Sequence, residues 1–262
     1  MRFIPLISSS QGNAAYLEAG GRNILIDAGA SAKRLTELLY GVGIDVTRLD
    51  AVLVTHEHSD HVQGLGMLSK KYGVPVYMTE KCGNALPKAV AEKLPAENIR
   101  CIIPGQEFFL GGLRVLPFPT YHDTVEPIGF CFWEGANKFT YLTDCGHTDK
   151  RLTDLCADSD LLFIECNHDV DMVLASNRSY ALKHRILSNK GHLSNAACAQ
   201  LLTELSRRNV GGAILAHLSQ ECNTPDLARI TVESALRVAG SDLRIVVANA
   251  SGPTGIFEIG EA

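Results

Sequence analysis

The chain has no apolar run approaching the roughly 18 residues that a membrane-spanning helix needs. Its first residues, Met1-Arg2-Phe3-Ile4-Pro5-Leu6, lack an apolar stretch of signal-peptide length. A cytoplasmic protein with no membrane partner is expected. The eight cysteines contain no C-x-x-C pair, and in 262 residues such a scatter reads as reduced, mostly buried thiols. Positive charge is not in excess either. The net charge of -5 leaves no global electrostatic footprint for nucleic acid, though it does not exclude a local basic patch. Low-complexity segments and linkers are missing too, so one domain of two similar halves is expected over residues 1–262. Hydrophobic residues make up 46% and charged residues 20%, a globular composition at a length that permits a sizeable core.

What the chain does have is Thr55-His56-Glu57-His58-Ser59-Asp60-His61, directly after the apolar run Ala51-Val52-Leu53-Val54. This reads as a strand that ends in a loop and passes into a helix over 62–72. Side chains in extended backbone repeat every two residues, so His56 and His58 point the same way and can share a metal. Asp60 and His61 lie where the chain turns, so they can hold a second metal close by. Imidazole nitrogen and carboxylate oxygen suit zinc, manganese or iron. Glu57 reads as a solvated charge between two ligands.

The remaining pattern supports a mixed α/β protein. Strands are expected at Arg2 to Ser8, then in a hairpin of Ala14 to Glu18 and Asn23 to Asp27 across Gly20-Gly21. Later strands are expected at 74–78, 99–103, 107–110, 113–118, 128–133, 138–142, 161–165 and 211–215. A helix opening at Thr79-Glu80 runs towards Lys93. Ser194 or Asn195 caps a helix over 196–206, and Thr224-Pro225 starts another to Val238. Leu243 to Val247 reads as a last buried strand and Gly255 to Ile259 as an edge strand. Two mixed sheets packed face to face, with helices outside, fit this order. Polar residues recur where apolar strands end: the 56–61 cluster, His122, Asp144 and His217.

The H-x-H-x-D-H loop followed by an isolated His, Asp and His at strand ends resembles the metallo-β-lactamase superfamily. Ser8 to Asn13, Tyr121-His122-Asp123, Glu165-Cys166-Asn167-His168-Asp169, Lys190-Gly191-His192-Leu193-Ser194-Asn195 and His217-Leu218-Ser219 narrow the likeness to its YycJ/WalJ-like hydrolases. The resemblance implies an αββα four-layer sandwich with two divalent metal ions, zinc first, manganese or iron as alternatives. It implies that His56, His58 and His122 hold one metal, that Asp60, His61 and His217 hold the other, and that Asp144 bridges both. The Ser8–Asn13 loop departs from the family, which usually has a glycine before the paired serines and lacks the inserted Gln11.

Two metals can share a hydroxide and clamp the attacking and leaving oxygens of an in-line displacement. The expected function is therefore a binuclear phosphodiesterase, and the resemblance implies a nuclease of 5′-to-3′ exonuclease type on DNA or RNA. Asp60, Asp144 and His192 are the expected catalytic residues, His192 as proton donor or phosphate contact. His168, Ser194 and Asn195 are candidate substrate contacts. Asp123, Glu165 and Asn167 could orient ligand imidazoles. Arg178, Lys183, His184, Arg185 and Lys190 form a basic stretch that could track a phosphodiester backbone. The alternatives are a small-molecule phosphodiesterase, a thioester or lactam hydrolase, or a signalling module that kept the fold and lost the chemistry.

Overall fold

Apolar runs punctuated by glycine turns build two seven-stranded mixed sheets. The coordinates are a computed structural model that describes residues 1–260; the last two residues of the expected 1–262 span lie outside the described residues. The first sheet contains β1 (Arg2–Ser9), β2 (Gly12–Ala19), β3 (Arg22–Ile26), β4 (Ala51–Leu53), β5 (Val76–Met78) and β6 (Ile99–Cys101). The second contains β7 (Phe108–Leu110), β8 (Leu113–Pro119), β9 (Ile128–Glu134), β10 (Asn137–Leu142), β11 (Leu161–Glu165), β12 (Gly212–Ala216) and β13 (Arg244–Val247). A closing strand, β14 (Phe257–Glu258), returns to pair with β1.

The two sheets share one plan. In the first, β1, β2 and β3 are antiparallel, and β3, β4, β5 and β6 then run parallel. In the second, β7 to β10 are antiparallel, and β10 to β13 run parallel. Period-two alternation sorts the side chains between layers. Phe3, Ile24 and Ile26 from the first sheet meet Phe130, Phe132, Phe139 and Phe163 from the second in a shared middle core. Their neighbours Ile4 and Leu25 point the other way, onto Leu35, Leu39 and Leu65 of the helices over the first sheet. Ile164 and Leu215 likewise face Leu202, Leu205 and Val232 over the second. Helix, sheet, sheet, helix is the expected αββα sandwich. Each fully buried aliphatic or aromatic side chain contributes about 1.5–3 kcal/mol.

Three local expectations need correction. The helix over 62–72 is broken: Ser59–Val62 forms one turn, Gly64 resets the chain, and Leu65–Tyr72 follows. The helix towards Lys93 splits at Pro87 into Glu80–Ala85 and Lys88–Ala91, because proline cannot donate into a helix interior. β13 is the open edge of its sheet with alternating exposure, not a buried strand. Its run of apolar residues gave no sign that a neighbour was missing. The helices at Asn195–Leu205 and Pro225–Val238 carry the expected caps, with Ser194 Oγ and Thr224 Oγ1 accepting from backbone N–H groups. Among the described residues no helix is long and apolar enough to cross a membrane.

Candidate metal centre

The strands deliver polar residues to one edge of the sandwich. β3 leads into Asp27, β4 into His56, β8 towards His122, β10 into Asp144, β11 ends at Glu165 and β12 leads into His217. Three of these residues, Asp27, Asp144 and His217, have positive φ (60, 53 and 54°) immediately past their strands. Left-handed backbone costs an ordinary residue about 1–2 kcal/mol. Such outliers persist where the surroundings over-determine them. Here the reversal turns each side chain from the sheet plane into the edge.

Close packing of backbone fixes the loop over 55–61. A Cβ on Gly29 would sit 1.7 Å from the Asp60 carbonyl oxygen, so only glycine fits. Ala28 N donates to His61 O at 2.7 Å, and Gly29 N to Asn13 O at 2.8 Å. The Ser8–Asn13 hairpin is tied to the other half as well. His217 N donates to Ser8 Oγ at 2.8 Å, and Ser9 bridges to Leu218. Asn13 Nδ2 donates to Ser9 O at 2.9 Å and lies 3.1 Å from His61 Nε2.

The expected ligands come together as two groups. His56, His58 and His122 form one and Asp60, His61 and His217 the other, with donor atoms within 4.8 Å of one another in each. The carboxylate of Asp144 lies between them, 3.6 Å from His122 Nε2 and 3.3 Å from His61 Nε2. The donor set suits divalent cations, and the hydrogen bonding shows why. His56 Nδ1 faces Thr55 Oγ1 at 3.0 Å, His61 Nδ1 faces Asp27 at 2.8 Å, His122 Nδ1 faces the Gly191 carbonyl at 2.9 Å, and His217 Nδ1 faces Glu165 at 3.1 Å. Each acceptor fixes the proton on Nδ1 and turns the Nε2 lone pair inward. His58 presents Nδ1 instead, 3.3 Å from His122 Nε2. His56 Nε2, Asp144 Oδ2 and His217 Nε2 are buried without a hydrogen-bond partner. Buried lone pairs that converge without hydrogen-bond partners are costly unless a cation binds.

Electrostatics point the same way. Burial pulls the His61 imidazole down, but Asp144, Asp27 and Asp60 outweigh it and raise it to about 9. His217 also rises well above the ordinary range, because Asp144, Asp60 and Glu165 overcome its burial. His56, deeper and ringed by the other imidazoles, is pushed well down by burial first and by those neighbours second. Burial would raise Asp60, yet His61 and His217 hold it below the usual carboxylate range. The edge is a negatively biased pocket that draws positive charge.

His192 stands at the rim, 21% exposed, with Nδ1 2.7 Å from Glu165 Oε1. Its ring centre is 4.9 Å from that of His122 and 5.3 Å from that of His217. Glu165 is fully buried and orients His192 and His217 together. Asn167 donates to the His217 carbonyl at 2.7 Å. Asp123 lies 3.4 Å from His122 Nε2 and pairs with Arg185. Glu57 is not a solvated charge: it accepts from Val125 N at 3.0 Å and closes the loop after His122.

The expected substrate contacts fare differently. Asn195 does not face the cleft: it is 2% exposed, and its amide is spent on Asn223 and on the Cys166 thiol. That network joins the start of the helix to the strand ends, a role that the sequence pattern G-H-L-S-N does not reveal. Ser194 Oγ is occupied as a helix cap. His168 is 1% exposed beside Glu165 and His192, and burial pushes its imidazole down to about 4. The sequence reading missed Asp27, which accepts from Thr55 N and Thr55 Oγ1 as well as facing His61. A signal existed. Asp27-Ala28-Gly29 after β3 repeats the Asp144-Cys145-Gly146 pattern after β10.

Residues 22–218 match the sequence model of the Beta-lactamase superfamily domain. The chain belongs to that superfamily. Within it, the chain groups with the WalJ and YycJ proteins. It is 34% identical over 259 residues to the exodeoxyribonuclease WalJ of Streptococcus pneumoniae serotype 2, covering 97% of this chain and 96% of that one. It is 32% identical over 240 residues to the exodeoxyribonuclease YycJ of Bacillus anthracis, covering 92% and 90%. The zinc-bound structure of PqqB from Methylobacterium extorquens superposes with a TM-score of 0.73 at 17% identity, covering 98% of this chain and all (100%) of that one, and shows the same fold. This member of the superfamily is a metal-dependent hydrolase.

Proposed function

We propose that the protein is a two-metal phosphodiesterase that acts on nucleic acid, removing nucleotides from the 5′ end of a strand. The observation that carries the reading is the His192–Glu165 pair at the rim of two donor groups with the Asp144 carboxylate between them. The full-length likeness to two exodeoxyribonucleases supports the substrate class. His56, His58 and His122 would hold one divalent ion, Asp60, His61 and His217 the other, with Asp144 common to both. Zinc suits this nitrogen and oxygen set best, with manganese or iron as alternatives. When bound, the ions acidify water and neutralise charge gathering on the phosphate.

The chain's own groups do the rest. Displacement forms a bond from water oxygen to phosphorus and breaks the bond from phosphorus to a sugar oxygen. Glu165 accepts from His192 Nδ1, and His192 in its imidazolium form, with a proton on each ring nitrogen, can hand the Nε2 proton to the departing sugar oxygen and keep the Nδ1 proton hydrogen-bonded to Glu165. Asp60, held ionised by His61 and His217, can accept a hydrogen bond from the attacking water. His168, whose Nδ1 has no partner, is retained as a substrate-side group, and the Ser194 and Asn195 helix start supports the His192 loop. Both sheets supply ligands to one centre, so we read 1–262 as a single domain. Eight unpaired thiols fit a reducing, cytoplasmic setting.

The test is hydrolysis of a 5′-phosphorylated single-stranded oligonucleotide by metal-loaded protein, with Asp144→Ala and chelator controls. Stepwise nucleotide release, lost in both controls, is expected. A protein that carries both metals and cleaves only small diesters would refute the nucleic-acid reading.

A further inference from the structure

Between His168 and His192 the chain leaves the sandwich and forms two short helices, Val170–Ala175 and Tyr180–Ile186. They close on a small core of their own, Val173, Ile186 and Cys222. This flap is bound to the metal centre at its far end. Gly191 O faces His122 Nδ1 at 2.9 Å, His192 N donates to Ile186 O at 3.1 Å, and Arg185 pairs with Asp123 beside His122.

The flap's surface differs from the rest of the molecule. Residues 170–190 hold four Lys or Arg and one Asp, in a chain whose net charge is -5. Arg178 is paired with Glu221 and Arg185 with Asp123. Among the described residues, Lys183 and Lys190 have no carboxylate partner within ion-pair distance, Lys183 Nζ donates to the Leu174 carbonyl at 2.6 Å, and His184 faces solvent beside them. Interleaved with these cations are exposed apolar groups: Tyr180 at 84%, Leu174 at 56%, and Leu182 and Leu187 at about a third each. The Tyr180 ring lies over His184, with centroids 6.3 Å apart.

Alternating cations and an exposed aromatic are what a single-stranded polynucleotide requires. Phosphates meet the cations, and unstacked bases lie on the ring. A duplex hides its base faces and would leave Tyr180 unused. A self-association face would exclude unpaired lysines from its centre. We infer that the 170–190 flap is the track that grips single-stranded nucleic acid and feeds it to the metal centre, with Tyr180 as the stacking platform and Lys183 and Lys190 as phosphate contacts. This rests on the nuclease reading above and specifies the form of its substrate.

The experiment compares two substrates on the metal-loaded full chain. One is a single-stranded oligodeoxynucleotide, the other bis(4-nitrophenyl) phosphate, which is too small to reach the flap. Tyr180→Ala should raise KM for the oligonucleotide about tenfold while kcat holds, in line with the loss of one stacked base. Lys190→Glu should also raise that KM and flatten its log–log salt dependence by about one unit. Hydrolysis of the small diester should not change in Tyr180→Ala, since Tyr180 does not touch the centre. An unchanged oligonucleotide KM in both variants would overturn the inference. So would an equal loss on both substrates, or a wild-type dimer that Tyr180→Ala dissociates without altering KM. Wild type that hydrolyses the small diester and no oligonucleotide would instead sink the nuclease reading itself.

Discussion

Replacing Asp27 by asparagine keeps the volume of a fully buried side chain and removes its charge. The carboxylate accepts from Thr55 N at 2.8 Å and from Thr55 Oγ1, and faces His61 Nδ1 at 2.8 Å. An amide has only one accepting oxygen. If that oxygen stays on Thr55 N, the NH2 group meets His61 Nδ1, and the imidazole must move its proton to Nε2. It then points an N–H bond where a lone pair is needed for metal. If the amide flips, His61 keeps its tautomer and Thr55 N loses its buried acceptor, at about 1–3 kcal/mol. Either route weakens the Asp60, His61 and His217 group. The expected loss of metal affinity there is about 10- to 100-fold, the usual effect of removing the partner behind a ligating imidazole. The assay is metal content after dialysis against graded chelator. Asp27→Asn should surrender one ion at a chelator strength at which wild type keeps two, while the His56, His58 and His122 group changes less. Superimposable release curves would show that Asp27 does not set the His61 tautomer.

Other outcomes follow from the same geometry. His192→Ala and Glu165→Gln should each lower kcat by about 10²–10⁴. His192→Ala should do so with unaltered metal content, and turnover at wild-type level would end the proton-donor role. Gly29→Ala forces a Cβ to 1.7 Å from a backbone oxygen, so a stability loss of about 3 kcal/mol or more is expected by chemical denaturation; a wild-type midpoint would disprove the close approach. In metal-stripped protein His61 is raised to about 9. Its stabilising contribution is complete below the ordinary value near 6.5 and is lost as pH rises through about 9. His56, which is lowered, stays neutral across that window and adds nothing to the slope. The melting temperature of the stripped protein should therefore fall between those pH values and that of loaded protein should hold; parallel curves would contradict it. Native protein should show one fast thiol, the exposed Cys101, because burial shields the other seven and raises Cys131 to about 11 and Cys145 to about 12; a second fast thiol would refute this.

The fold was legible because apolar alternation is a local property. Phe3 and Ile4, or Phe163 and Ile164, announce two faces before any partner is known. The 56–61 loop was legible for a similar reason, since four ligand types in one turn are informative on their own. What escaped were features that depend on a distant neighbour. β13 reads as buried until its missing partner is seen. Asn195 reads as a substrate contact until Asn223 and Cys166 are found to absorb its amide. Glu57 reads as solvated until Val125 N arrives. Asp27 had a legible signal, an Asp-x-Gly after an apolar strand, but sits 34 residues from the imidazole it orients.

The two Asp-x-Gly corners show how the sandwich builds its centre. Asp27 leaves β3 and Asp144 leaves β10, the strands at which each sheet changes from antiparallel to parallel pairing. Both aspartates have positive φ, and in both the following glycine permits a close approach that a Cβ would block: Gly29 against Asp60 O, and Gly146 against Asn189. Yet they do different work. Asp27 is buried behind His61, whereas Asp144 stands between the two histidine groups with Oδ2 unpartnered. The difference lies in what the opposite half supplies. The first half places His56, His58 and His61 in one loop, so its own corner aspartate is shut behind them. The second half spaces His122, His192 and His217 far apart in sequence, so its corner aspartate reaches the gap. The asymmetry of histidine spacing, rather than the duplicated fold, sets one corner aspartate among the ligand imidazoles and the other behind them.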